Sequence, residues 1–171
     1  MRATFVRTKA VFEDCMAHIS EQKLQGAPIE SYLVEHILIV FCAEVQHEIY
    51  KSIEQYTSTL GDLKLEYFVR AACRKLFRSP KKSEIAGLLG SFGEVTQNKF
   101  NSLIDESQVT YYSLAVDARH DVAHSNGSKM TIGDFLKALK SAEEIIQAVD
   151  IALQYRADIG IISEEVLVQN N

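Results

Sequence analysis

The densest cluster of chemically capable side chains in this chain is Asp117-Ala118-Arg119-His120-Asp121-Val122-Ala123-His124. The chain has five histidines, and two of them fall in this one stretch beside an arginine. At helical spacing Asp117, His120, Asp121 and His124 share one polar face. Arg119 then sits at the edge of an apolar stripe made by Tyr111, Leu114/Ala115, Ala118 and Val122. Arginine stays charged at any biological pH and offers a planar fork of donors to anionic oxygens. Histidine trades protons near neutral pH. Those two types together suit chemistry at an anionic centre, with one group stabilising charge and another moving a proton. On an ordinary helix the same residues form a solvated face of carboxylate–imidazole pairs.

A second chemistry competes for the same residues. His120 and His124 stand four apart, a metal-ligand spacing, and Asp117-x-x-His120 mimics the carboxylate-x-x-His element of di-iron bundles. Glu44-Val-Gln-His47, with Glu48 beside it, offers a second such element, and Glu13 or Glu143 would have to complete the set. Otherwise Glu44 and His47 hydrogen-bond within the bundle, or Glu44 supports Arg119. Arg70, Arg74, Lys75, Arg78, Lys81 and Lys82 form a basic run in an otherwise acidic chain. It is either a grip on a phosphate backbone or a set of cations favoured at a helix C-terminus. Tyr111 and Tyr112 are candidates for stacking on bases, with Tyr111 the better candidate for the core. His18 and His36 lack chemical context and read as structural.

Bulk properties narrow the classes. A hydrophobic share of 47% with 24% charged residues fits a globular chain able to bury its own core at 171 residues. The net charge of −5 argues against a surface that binds nucleic acid everywhere, but leaves room for a locally basic groove. Cys15, Cys42 and Cys73 show neither paired nor CxxC spacing, and read as core residues in a reducing, cytoplasmic setting. The first residues lack the apolar run of a signal peptide. The apolar stretch Ile37 to Ala43 is far short of the ~20 residues that cross a bilayer, so no membrane is expected.

Helices must position the cluster. The spacing predicts helices over about Thr4–Leu24, Pro28–Tyr56, Leu63–Phe77, Val109–His124 and a last one after Thr131. The glycine-bearing stretch Ser83–Ile104 reads as one or two short helices. Pro28 suits a first turn, and the second helix, apolar on all sides between Ile37 and Cys42, reads as central. Thr131 with Asp134 reads as an N-cap, and Ser125-Asn126-Gly127 as a helix stop. Phe135, Leu139, Ala142, Ile146, Val149 and Leu153 make one stripe. The expected fold is all-α, an antiparallel helical bundle of four to five main helices plus short ones. It covers residues 1–156, with a tail of uncertain structure over 157–171.

The Arg-His-x-x-Ala-His segment resembles the signature of the HEPN superfamily, an arginine followed by a polar residue, three further residues and a histidine. Arg119, His120 and His124 match those positions, and Val122-Ala123-His124-Ser125 is similar to the apolar-Ala-His-small ending common there. A motif late in one bundle helix, with one long amphipathic helix after it, also agrees. In detail it resembles the stand-alone bacterial branch found with toxin–antitoxin and defence loci. The resemblance spans the chain as architecture and about eight residues as motif.

It implies a metal-independent endoribonuclease without a cofactor. Arg119 would stabilise the scissile phosphate, His124 would move a proton at the 2′-OH or the leaving 5′-oxygen, and His120 would assist. Arg74, Lys75, Arg78, Lys81 and Lys82 would hold the RNA, with Glu44 and Asp121 in support. On an ideal helix Arg119 and His124 lie about 140° apart and cannot converge on one phosphate. Either the helix unwinds at His124 or two chains share a site. The resemblance implies the second, a homodimer, with an antitoxin partner such as a minimal nucleotidyltransferase. The alternative is an inactive HEPN-like dimeric module that binds RNA or a partner.

Overall fold

Capping chemistry sets where the helices begin, and the computed structural model describes residues 5–123 and 130–155. Among them are seven helices: α1 (Val6–Glu21), α2 (Pro28–Ser58), α3 (Leu63–Leu76), α4 (Lys82–Gly90), α5 (Glu94–Ser102), α6 (Glu106–Ala123) and α7 (Ile132–Gln154). The all-α expectation is met, with five long helices and two of nine residues. Asp62 starts α3 by accepting from the amides of Lys64 and Leu65 at 2.9 and 3.1 Å. Thr131 starts α7 by accepting from the Asp134 amide at 3.1 Å, while its hydroxyl donates to the Asp134 carboxylate at 2.7 Å. Asp105 and Gln108 cap α6 reciprocally, each side chain accepting from the other's amide at 3.0 Å. That box is why α6 begins at Glu106 rather than at Val109 as the spacing predicts. The amide of Gln108 and the hydroxyl of Ser107 both donate to the Asp105 carboxyl, holding it below its usual range.

α1 is started from a distance. Phe5, in the left-handed region at φ 60°, offers no side-chain cap. Instead the buried Glu44 of α2 accepts from the amides of Arg7 at 3.0 Å and Thr8 at 2.7 Å. A carboxylate at a helix N-terminus also meets the positive end of the helix dipole. Glu44→Ala is therefore expected to leave buried donors unmet and to cost about 2–4 kcal/mol. Urea unfolding checks this: the midpoint should fall while the slope stays constant.

α1 and α3 each pack antiparallel to α2. The N-terminus of α1 meets Glu44, midway along α2, and α3 returns along α2 until Phe77 stands edge-on to Tyr50 at 5.9 Å. α2 and α7, by contrast, run the same way, since Phe41 meets Phe135 and Ser52 to Thr59 border Asp150 to Gln154. Phe41 is the aromatic hub, with Phe5, Tyr112 and Phe135 around it at centroid distances of 5.6–6.4 Å. All six stripe residues of α7 named above are buried. The middle of α2 departs from expectation: Ile37, Leu38, Phe41 and Cys42 are buried, but Ile39 is 48% exposed. The described residues leave the Ile39 side of the central helix uncovered. No helix among the described residues is long and apolar enough to cross a membrane. Residues 157–171 and the expected stop at Ser125-Asn126-Gly127 lie outside the described residues.

Candidate functional site

The buried face of α6 fixes everything at its C-terminal end. It is made by Tyr112, Ala115 and Val116, whereas Tyr111 is half-buried and Leu114 exposed. The sequence-derived stripe is thus rotated toward Tyr112, and of the two tyrosines it is Tyr112 that belongs to the core. Tyr112 also reaches the loop between α3 and α4, where its hydroxyl donates to the Pro80 carbonyl. Burial pushes the phenol well above its ordinary value, with the nearby Cys42 adding to the shift. Tyr111 instead lies under Lys137, whose ammonium is 4.7 Å from the ring centroid.

That rotation re-aims Arg119. It stands four residues beyond Ala115 and three beyond Val116, so it continues the buried face at the exposed end of the helix. Its guanidinium is near enough to Cys42 of α2 to oppose part of the shift on that thiol. Burial dominates and drives the Cys42 thiol up to about 12. Between pH 9 and 12 the unfolded chain has lost the proton that the folded chain keeps, so stability falls as pH rises there. Cys42 adds about 1.4 kcal/mol per pH unit to that slope, beside contributions from Cys15 and Cys73, whose thiols burial also raises, and Cys42→Ala should remove its share. Urea midpoints measured at pH 8, 9 and 10 in both proteins check this. All three cysteines are free and buried.

His120 and Asp121 are exposed on the last described turns of α6. His124 lies outside the described residues, and so does any convergence of Arg119 with it. Asp117 meets the basic loop: its carboxylate is 3.0 Å from Lys81. Both partners are about half-exposed, so the pair contributes at most about 1 kcal/mol. Its significance is placement, because it sets Lys81 beside the helix that carries Arg119 and His120. Two anchors hold the loop there, the Tyr112–Pro80 bond and the Phe77 carbonyl, which accepts from Tyr50 at 2.9 Å and Gln46 at 3.1 Å.

The other expected RNA contacts spread outward from Lys81. Lys82 donates to Asn101 of α5 at 2.7 Å. Arg74 stands 3.9 Å from Glu54 of α2, Arg78 donates to the Lys75 carbonyl at 3.4 Å, and Lys75 is exposed. Arg70 pairs with Glu54 and Glu66 at 3.2 and 2.9 Å. Glu44 starts α1 with both carboxylate oxygens, a structural role that the sequence does not signal because its partners lie 36 and 37 residues away. The carboxylates of the di-iron alternative are engaged apart from one another, Glu44 at α1, Glu48 with Lys51 at 2.7 Å and Glu143 with Lys9 at 2.6 Å. Among the described residues no group of three or more His, Cys, Asp or Glu is placed to hold a metal ion. The Lys81–Asp117 pairing escaped the sequence reading, its one local signal being Ser79-Pro80, which halts α3 and sends the next residues across the bundle.

No protein-family profile, curated protein or solved structure matches the chain.

Proposed function

We propose that this chain is a metal-independent endoribonuclease of the HEPN type. The reading rests on its Arg119-His120-x-x-Ala123-His124 segment. The observation that carries it is the seating of the basic loop against α6 through Lys81–Asp117, two residues before Arg119. An RNA strand lying over Lys81 would pass the exposed Arg119 and His120 at the end of the same helix. In the proposed reaction the ribose 2′-oxygen attacks phosphorus, one imidazole takes the 2′-OH proton, and the departing 5′-oxygen receives a proton. Arg119 stabilises the charge that builds on the non-bridging oxygens. The products are a 2′,3′-cyclic phosphate and a 5′-hydroxyl.

A homodimer is part of the proposal, because Arg119 and His124 diverge by about 140° on a continuous helix and a second copy would bring them to one cleft. The uncovered Ile39 flank of α2 leaves apolar surface for such a contact. An antitoxin partner and a cytoplasmic setting belong to the same reading.

The test is cleavage of total RNA in EDTA by purified protein, with His124→Ala beside it. Wild type should cut, leaving 2′,3′-cyclic phosphate ends, and the variant should lose about 10²–10⁴ in rate. Equal cutting by both proteins, or none by wild type with antitoxin absent, sinks the nuclease reading in favour of a binding module.

A further inference from the structure

α3 turns its apolar residues the wrong way for a bundle helix. Leu63, Tyr67, Phe68 and Leu76 expose between 62% and 71% of their surface, and Leu60 in the preceding turn extends the patch. Only one flank of α3, through Val69 and Cys73, packs on the core. Cations interleave the exposed patch at Lys64, Arg74 and Lys75. The neighbouring carboxylates are already engaged, Asp62 with the first amides of α3 and Glu66 with Arg70. The outer face of α3 is therefore apolar and cationic on a chain of net charge −5. Exposed large apolar side chains interleaved with cations are what a docking surface presents.

The sequence holds a matching occupant. Residues 156–171, which lie outside the described residues, combine Ile159, Ile161, Ile162, Val166, Leu167 and Val168 with Asp158, Glu164 and Glu165, against one cation, Arg156. The described chain ends beside the end of α2 and over α5, where the Lys99 ammonium stands 4.8 Å from the Tyr155 ring. Asp150, Leu153 and Gln154 of α7 face Ser52, Tyr56 and Thr59 of α2 across a cavity of about 330 Å³. Thr59 is four residues ahead of the first residue of α3. Sixteen extended residues span up to about 50 Å, whereas fourteen helical residues rise only about 21 Å. A second copy of α3 suits the surface less well, because a two-fold pairing would set cationic faces against each other.

We propose that the exposed face of α3 is the docking surface for residues 156–171 of the same chain. The aliphatic side chains of the segment cover Leu63, Tyr67 and Phe68, and Glu164 and Glu165 meet Arg74 and Lys75. The surface involved is the chain's own, so the inference stands whether or not the protein cuts RNA. It has one regulatory consequence: a polyanion and the acidic segment compete for Arg74 and Lys75.

The experiment is carbodiimide cross-linking of the full chain, using an equal mixture of unlabelled and nitrogen-15-labelled protein, with mass-spectrometric mapping. Links from Lys64 or Lys75 to Glu164 or Glu165 are expected, joining peptides of the same isotope. Their yield should drop about tenfold in the double variant Ile161→Asp/Ile162→Asp and in Phe68→Asp, as when a buried anchor of a contact is lost. Phe68 is 70% exposed, so its replacement leaves the bundle packing in place. The charge swap Lys75→Glu with Glu165→Lys should restore a link with reversed partners. Links of mixed isotope would give the face to a second copy. Absence of links to α3, or links insensitive to both apolar variants, would overturn docking altogether.

Discussion

Arg119→Ala is expected to lower the rate of RNA cleavage by about 10²–10³-fold, the loss typical of removing one preorganised donor at a developing oxyanion. The effect should fall on kcat more than on KM, since the charge that Arg119 meets grows as the transition state is approached. Arg119→Lys should recover only part of the rate, because an ammonium keeps the charge and loses the two-pronged geometry. Neither change should weaken the fold, as Arg119 is exposed and its neighbour Cys42 is held by burial. Single-turnover cleavage alongside urea unfolding separates the two effects. Full activity in Arg119→Ala would remove Arg119 from the candidate site and with it the HEPN reading. Lys81→Ala should act differently, weakening substrate binding with a smaller slope of affinity against salt while the single-turnover rate at saturation holds.

How far the chain could be read without coordinates depends on whether the deciding partner is near or far in sequence. α7 was fully legible, since its six stripe residues repeat at helical spacing and its Thr131 cap lies within one turn of its partner. In α6 the spacing favours a stripe through Tyr111, and the choice of Tyr112 instead goes with its bond to the Pro80 carbonyl, 32 residues away. The candidate site inherits that choice, because it turns Arg119 toward α2 and Asp117 toward Lys81. Glu44 illustrates the same limit. Beside His47 and Glu48 it reads as metal ligand, as support for Arg119 or as a hydrogen-bonding group within the bundle, and only α1 arriving from another part of the chain makes it a cap.

α3 forms over the span its spacing predicts, and it shows a different limit. Its helical pattern was legible, yet a leucine or phenylalanine at helical spacing normally signals the core. Here just one flank meets α2, so Leu63, Tyr67 and Phe68 stay outside. Periodicity reports which residues are apolar and cannot report how many neighbours the helix will find.

Phe41→Ala is expected to cost about 3–5 kcal/mol, a large part of the stability of a domain this size. The side chain is fully buried and touches three further aromatic rings that come from three separate stretches of chain. Phe5 belongs to the start of α1, Tyr112 to the helix of the candidate site and Phe135 to the first turn of α7. Those rings cannot all close on the vacated space, because Phe5 is tied to α1 through Glu44, Tyr112 to Pro80, and Phe135 stacks on Phe12 at 5.6 Å. A rigid lining leaves a cavity, and the cost of such a deletion rises with the cavity that remains. Phe41→Leu, which refills most of the volume, should recover more than half of the loss. Urea unfolding of both variants measures this. If Phe41→Ala cost less than about 1.5 kcal/mol, the three helices would have collapsed onto the gap, and the tethers at Glu44 and Pro80 would not hold the rings apart. With those tethers intact, cleavage at 25 °C should survive in the folded fraction of Phe41→Ala, because the hub supports α6 without touching the anionic centre proposed for Arg119.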